Sequence, residues 1–92
     1  MTISDIIHNL EDLNSERTIY ARQPWSPNSL ALVVEEPADG KLPEEAISGG
    51  LVYFIEISIA QEFLEDWTNS QSTEPSHEAR CSRLIHYAEH DA

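Results

Sequence analysis

Cys81, the single cysteine of the 92-residue chain, is the side chain best suited to nucleophilic chemistry. His77 lies four residues earlier, so the two side chains would share one face of a helix. A thiol reacts only where a base or a positive charge favours the thiolate, and Arg80 and Arg83 project elsewhere on such a helix. A buried, unreactive Cys81 is the stronger interpretation, because free cysteine is among the most buried residue types.

His86 and His90 are one helical turn apart, a spacing at which two imidazoles can share a zinc ion. No spacing in the chain supplies a third and a fourth ligand, so we expect no metal site and no cofactor. We expect two solvated side chains near the end of a helix, where the helix dipole favours positive charge.

Glu56 interrupts an apolar segment, where an unpaired charge is costly. It faces an open edge, pairs with Arg17 or Arg22, or lines a binding surface. Glu35 would join it as a second carboxylate for acid–base work if their strands are neighbours. Since structural ion pairs perturb carboxylates equally well, we expect that the protein is not an enzyme.

Acidic residues are the clearest signal, with 17 Asp and Glu against five Lys and Arg and a formal net charge of −12. This balance argues against contacts with the nucleic-acid backbone or with an anionic membrane, which both require basic patches. It favours a basic protein partner, attracted by the field of the whole surface. The predicted contacts are five clustered carboxylates and one loop tryptophan: Trp25, Glu35, Glu36, Asp39, Glu44 and Glu45.

Trp25 lies between Pro24 and Pro27, in a loop that the two prolines stiffen. An aromatic side chain on a stiff loop loses little entropy on binding and is a frequent interface anchor. The alternative, that Trp25 folds back against the edge of the core, is equally favoured.

Length and composition bound the class of protein. Ninety-two residues form one domain, residues 1–92, and 40% apolar residues are typical of a folded globular chain. No apolar run approaches the roughly 20 residues that span a bilayer, and the acidic start of the chain does not have the pattern of a signal peptide. A single cysteine excludes an internal disulfide, and we expect a cytoplasmic protein.

Periodicity predicts an α+β domain with a small antiparallel sheet of about three strands and helices packed on one face. Thr2 and Asp5 have the spacing of a capping box for a helix that ends near residues 14–15. Strands are predicted over residues 18–23, 30–35 and 51–57, and the last is expected in the interior because both of its faces are apolar. The order is α-β-β-(α)-β-α-α.

The remaining helices follow from capping signals. One or two turns are expected within residues 42–47, after Pro43. Ser58 is predicted to cap the next helix, with Gln61 at the capping-box position. The last helix is predicted over residues 75–89.

Three segments carry a resemblance to known proteins: residues 18–29, residues 53–56 running into residues 60–67, and residues 81–88. The pattern resembles a group of small acidic bacterial proteins of unknown function. That resemblance implies a bacterial, cytosolic setting and assigns no activity and no functional residue. In size and charge the chain is also similar to immunity proteins of bacterial toxin systems.

We therefore expect a cytosolic binding protein that neutralises a basic partner, most simply an immunity protein that blocks a nuclease-like toxin domain. One alternative is a homodimeric regulatory or adaptor protein, in which charge serves only solubility. Another is an acidic mimic of nucleic acid that blocks a nucleic-acid-binding protein. An enzyme that uses Cys81 or Glu56 is the remaining alternative. The oligomeric state, monomer or homodimer, stays open at this point.

Overall fold

The structure, a computed structural model, describes residues 1–91. It is an α+β domain, as predicted, with a three-stranded antiparallel sheet and four α-helices. The elements, in chain order, are α1 (Ile3–His8), β1 (Thr18–Ala21), β2 (Ala31–Val34), α2 (Glu44–Gly49), β3 (Val52–Glu56), α3 (Ile57–Asn69) and α4 (His77–His90). This is the predicted order.

The first helix has the predicted capping box, in which the Thr2 hydroxyl accepts from the backbone N–H of Asp5 and the Asp5 carboxylate accepts from that of Thr2. The hydrogen bond from the backbone N–H of Thr2 to the carboxylate, with a smaller contribution from the Thr2 hydroxyl, holds the pKa of Asp5 below its usual value. The helix is shorter than predicted, because α1 ends at His8 and a 3-10 turn over Leu10–Asp12 replaces its last turn.

The sheet order is β2-β1-β3, so the central strand is β1 and not β3 as predicted. A bulge in β3 explains the error. Ile19 pairs with Ile55 and Tyr20 with Tyr53, which leaves Phe54 without a partner on β1. Phe54 and Ile55 are consequently both buried in the same cluster, whereas Tyr53 is exposed at the edge of the sheet.

Three helices cover one face of the sheet, which we call the helical face. The buried residues of α1, α3 and α4 form one cluster there with Ile19, Ala21 and Phe54. On the other, outer face, Tyr20 packs with Ala46 of α2 and with Leu51. The alternation along β1 therefore divides the core into a large part and a small part.

Helix α3 begins two residues earlier than predicted, at Ile57, with Glu56 as N-cap and no side-chain capping bond. Ser58 is therefore not the cap. Gln61 does not close a capping box either, because its Nε2 donates to the carbonyls of Leu10 (2.9 Å) and Leu13 (3.1 Å). The amide thus ties α3 to the 3-10 turn. Within residues 1–91 no helix is long and apolar enough to cross a membrane.

Candidate functional site: the acidic outer face

The acidic segment crosses the outer face of the sheet. It leaves β2 at Glu35, and its α2 helix places Ala46 against Tyr20. All five predicted carboxylates are exposed: Glu35, Glu36, Asp39, Glu44 and Glu45. Only small or apolar groups of this segment are buried, so its charges form the outward surface of a thin layer.

Local hydrogen bonds hold the segment in this course. Gly40, at φ +75°, closes a turn by donating to the carbonyl of Pro37 (3.0 Å), and the Asp39 carboxylate accepts from the backbone N–H of Lys41 (3.0 Å). Helix α2 ends at Gly49 and is capped by Gly50, at φ +68°, where glycine adopts the left-handed conformation without strain. Arg22 then donates from Nη2 to the carbonyl of Gly49 (2.7 Å), which fixes this end of the segment to the sheet.

Apolar side chains are exposed among these charges. Ile47 is 63% exposed on α2, Leu42 is 37% exposed just before it, and Tyr53 is 41% exposed on the edge strand. We call these three side chains together with the five carboxylates the α2 face. A surface with exposed apolar groups inside an acidic surround is suited to a partner that is basic and partly apolar.

Two tyrosines lie beneath and beside this surface. The rings of Tyr20 and Tyr53 meet edge to face, with centroids 6.4 Å apart. Burial, with smaller contributions from the carboxylates of Glu36 and Glu56, raises the pKa of both phenols. The Tyr20 hydroxyl is buried and has no hydrogen-bond partner within residues 1–91, so the outer face contains an unsatisfied polar group.

Trp25, the sixth predicted contact, lies on the helical side of the sheet. Its ring packs edge to face on Phe54, with centroids 4.8 Å apart, and its Nε1 donates to the carbonyl of Ala21 (3.3 Å). The half-buried side chain closes the edge of the large cluster. The structure therefore leaves the five carboxylates exposed along one segment and places Trp25 apart from it, against the large cluster.

The strand order separates Glu35 from Glu56. Glu56 is the last residue of β3, and Glu35 follows the end of β2, with β1 between the two strands. Two strand spacings amount to roughly 10 Å. The condition for a carboxylate pair, that β2 and β3 are neighbours, is not met.

Cys81 lies in the large cluster, 1% exposed. The Nε2 atom of His77 is 3.5 Å from the Cys81 sulfur and 2.8 Å from the Ser4 hydroxyl. Burial raises the pKa of the Cys81 thiol. The neighbouring Ser4 hydroxyl and the positive charge of Arg80 lower it, but by less. This environment suppresses the thiolate, so the geometry does not activate Cys81 as a nucleophile.

His86 and His90 are both exposed, with ring centroids 4.5 Å apart. Arg83 lies beside them, with its Nη1 3.4 Å from Nδ1 of His86. In the part of the chain that the structure describes, no three His, Cys, Asp or Glu side chains are grouped so as to hold a metal ion.

The sequence analysis missed one concave feature, a groove of about 400 Å³ between the 3-10 turn, α3 and α4. Six titratable or charged side chains line it: His8, Glu11, Glu65, Glu74, His77 and Arg80. They come from three stretches of the chain, residues 8–11, Glu65 and residues 74–80, and no local spacing relates one stretch to another. Helical periodicity identifies which residues of each helix face outward. It does not predict that the 3-10 turn, α3 and α4 come together to form a groove, because that depends on how the helices pack.

A family model described as a domain of unknown function (DUF7716) matches residues 1–92, the whole chain. Comparisons with curated proteins and with solved structures give no match. The match confirms the predicted membership of a family of unknown function. The chain therefore belongs to the DUF7716 domain family.

Proposed function

We propose that this protein binds a basic protein partner through the α2 face. The observation that supports this function is the exposure of five carboxylates along the one segment that packs over the outer face, with three exposed apolar side chains in it or beside it. Arg22, which holds the end of this segment to the sheet, donates to a backbone carbonyl and therefore does not neutralise these carboxylates. A partner with a positive surface would provide the missing counter-charges.

The two kinds of side chain would contribute differently. Exposed carboxylates accelerate encounter with a positive surface by long-range attraction, which salt screens. Ile47, Leu42 and Tyr53 would contribute affinity, because apolar and aromatic groups buried at the centre of an interface contribute most of the binding energy. Trp25 is not needed in this arrangement.

The partner proposed in particular is a bacterial toxin domain of the nuclease type, with this protein as its cytoplasmic immunity protein. A nuclease holds phosphates in a basic cleft. An acidic protein bound in that cleft excludes the substrate by occupying its position. Inhibition would need neither a cofactor nor chemistry on this chain.

The test uses two variants that each remove four negative charges. One carries Glu35→Gln, Glu36→Gln, Glu44→Gln and Glu45→Gln on the α2 face. The matched control carries Glu62→Gln, Asp66→Asn, Glu78→Gln and Glu89→Gln on the exposed sides of α3 and α4. A partner is captured from the native host with the wild-type chain, and association rates are then measured over a salt series.

We expect the wild-type association rate to fall steeply with salt, and the α2-face variant to be slow at every salt concentration. The control should remain close to the wild type, because its charges lie away from the interface. An association rate that is independent of salt contradicts the proposal. Equal losses in both variants contradict the assignment to the α2 face.

The two alternative binding functions, a homodimeric adaptor and a mimic of nucleic acid, predict different results. A homodimer would be seen by sedimentation at micromolar concentration and would be broken by Ile47→Asp. Charge disfavours it, because two α2 faces in contact would bring ten carboxylates together. A mimic of nucleic acid would compete with DNA or RNA for a captured partner that is itself a nucleic-acid-binding protein without toxic activity.

A further inference from the structure

The groove between the 3-10 turn, α3 and α4 lies on the helical face, away from the α2 face. Its volume, about 400 Å³, is within the range of small-molecule sites. Leu10 and Leu64 provide apolar surface in it, and polar side chains converge from the surrounding walls. A concave site of this composition is independent of the proposed partner interface.

One wall carries positive charge. Arg80 of α4 lines the groove, and its Nε is buried without a hydrogen-bond partner within residues 1–91. Because Nε itself is shielded, a ligand in the groove would bind the outer N–H groups of this guanidinium, for which a carboxylate is the best acceptor. His77, one turn earlier on α4, is held by Ser4 (2.8 Å) and meets the His8 ring edge to face at 5.3 Å. This wall is therefore ordered before any ligand arrives.

Negative charge lines the same groove. Glu65 lines it from α3, whereas Glu11 and Glu74 line it from the 3-10 turn and from the α3–α4 connection, and these two also line a second hollow together with Arg80. All three residues are exposed. The groove also reaches the C-terminal end of α3, at Thr68 and Asn69, where the helix dipole adds negative potential.

Opposite charges within one groove select against simple ions. An anion drawn to Arg80 meets three carboxylates, and a cation drawn to the carboxylates meets a guanidinium. A molecule with an ammonium group and a carboxylate can satisfy both kinds of charge. We propose that this groove is a binding site for a small zwitterion of the α-amino acid class, with its carboxylate on Arg80 and its ammonium group towards Glu65.

The experiment titrates the ¹⁵N-labelled full chain with L-alanine and, separately, with its two halves, acetate and ethylammonium. We expect saturable shifts of the Gln61 and Arg80 signals with L-alanine. Each half should bind more weakly by about tenfold or more, since each lacks one hydrogen-bonded charge pair. Absence of saturable shifts with L-alanine overturns the proposal, and so does equal binding of acetate, which would indicate an anion site.

Two variants assign the binding to the groove. Arg80→Gln and Glu65→Gln should each weaken L-alanine binding by about tenfold or more, for the same reason. Arg83→Gln and Glu62→Gln, matched changes on the same two helices but outside the groove, should leave it unchanged. If all four variants bind equally, the groove is not the site. Partner association through the α2 face is measured in parallel and is expected to be unaffected, so the two proposals fail separately.

Discussion

The two faces of the sheet differ in how much they bury and in what they expose. The helical face holds a continuous cluster of fifteen buried residues drawn from every large element. The outer face holds three, Tyr20, Ala46 and Leu51, under a short helix and a connection whose charges face outward. Because stabilisation scales with the apolar area removed from water, the helical face accounts for most of the stability. The outer face is then free to carry exposed charge and exposed apolar groups, which the proposed partner would contact.

The largest expected effect concerns access to the helical face. Cys81 should react with a small alkylating reagent at least about a thousandfold more slowly in the native protein than in urea, since it is reached only through opening of the core. Its raised pKa slows the reaction further. Mass spectrometry of alkylated protein at pH 8 measures both rates. Fast alkylation of the native protein would contradict this comparison, because it would show that the core on the helical face opens easily to solvent.

Removing a buried leucine from each face compares them directly. Leu84→Ala on α4 is expected to lower the free energy of unfolding by about 3 kcal/mol, through lost transfer energy and a cavity. Leu51→Ala should cost about 2 kcal/mol, the lower end for a buried leucine, because a thin layer collapses more easily around the gap. Urea denaturation gives both values, provided that the m-value, the slope of the unfolding free energy against urea concentration, is the same for all three proteins. Equal losses would remove the distinction between the two faces.

Tyr20→Phe should stabilise the protein by about 1 kcal/mol, because it removes a buried hydroxyl that has no partner. The same change affects the alkaline limit. The folded pKa of Tyr20 lies above its ordinary value of 10.0, so the folded state keeps the proton longer than the unfolded state, and stability falls as the pH rises above 10. The variant should lose less stability over this window. A destabilised Tyr20→Phe would show that the hydroxyl does form a hydrogen bond.

The smallest expected effect is that of neutralising α2. Glu44→Gln combined with Glu45→Gln should change the free energy of unfolding by less than about 0.5 kcal/mol. The lost interaction with the N-terminus of α2 is offset by relief of repulsion in a chain of net charge −12. Thermal unfolding compared with the wild type checks this. A large loss would mean that these carboxylates serve the fold and not a partner.

Local patterns predicted much of the fold. The capping box at Thr2 and Asp5 and the alternating segments around β1 and β2 depend on residues close in the chain, and the structure contains them. The interior position of β3 was predicted wrongly, because its apolar run conceals the bulge at Phe54. A bulge arises from pairing with another strand, which no local pattern records.

The candidate sites were predictable to different degrees. The five carboxylates lie close together in sequence, and the structure leaves all five exposed on one segment; their role as contacts stays a prediction. The groove was not foreseen, because Arg80 and Glu65 belong to different helices whose crossing sets their proximity. The position of Trp25 was left open, and contact with Phe54 decides it.

The sequence by itself determined the types and order of the elements, the excess of negative charge and the burial of Cys81, since these depend on composition and on periodicity along a helix or strand. The tertiary structure alone decided the strand order β2-β1-β3, the separation of Trp25 from the acidic segment and the walls of the groove. The physical reason is that these features are pairings between distant parts of the chain. They form only where the whole core packs best.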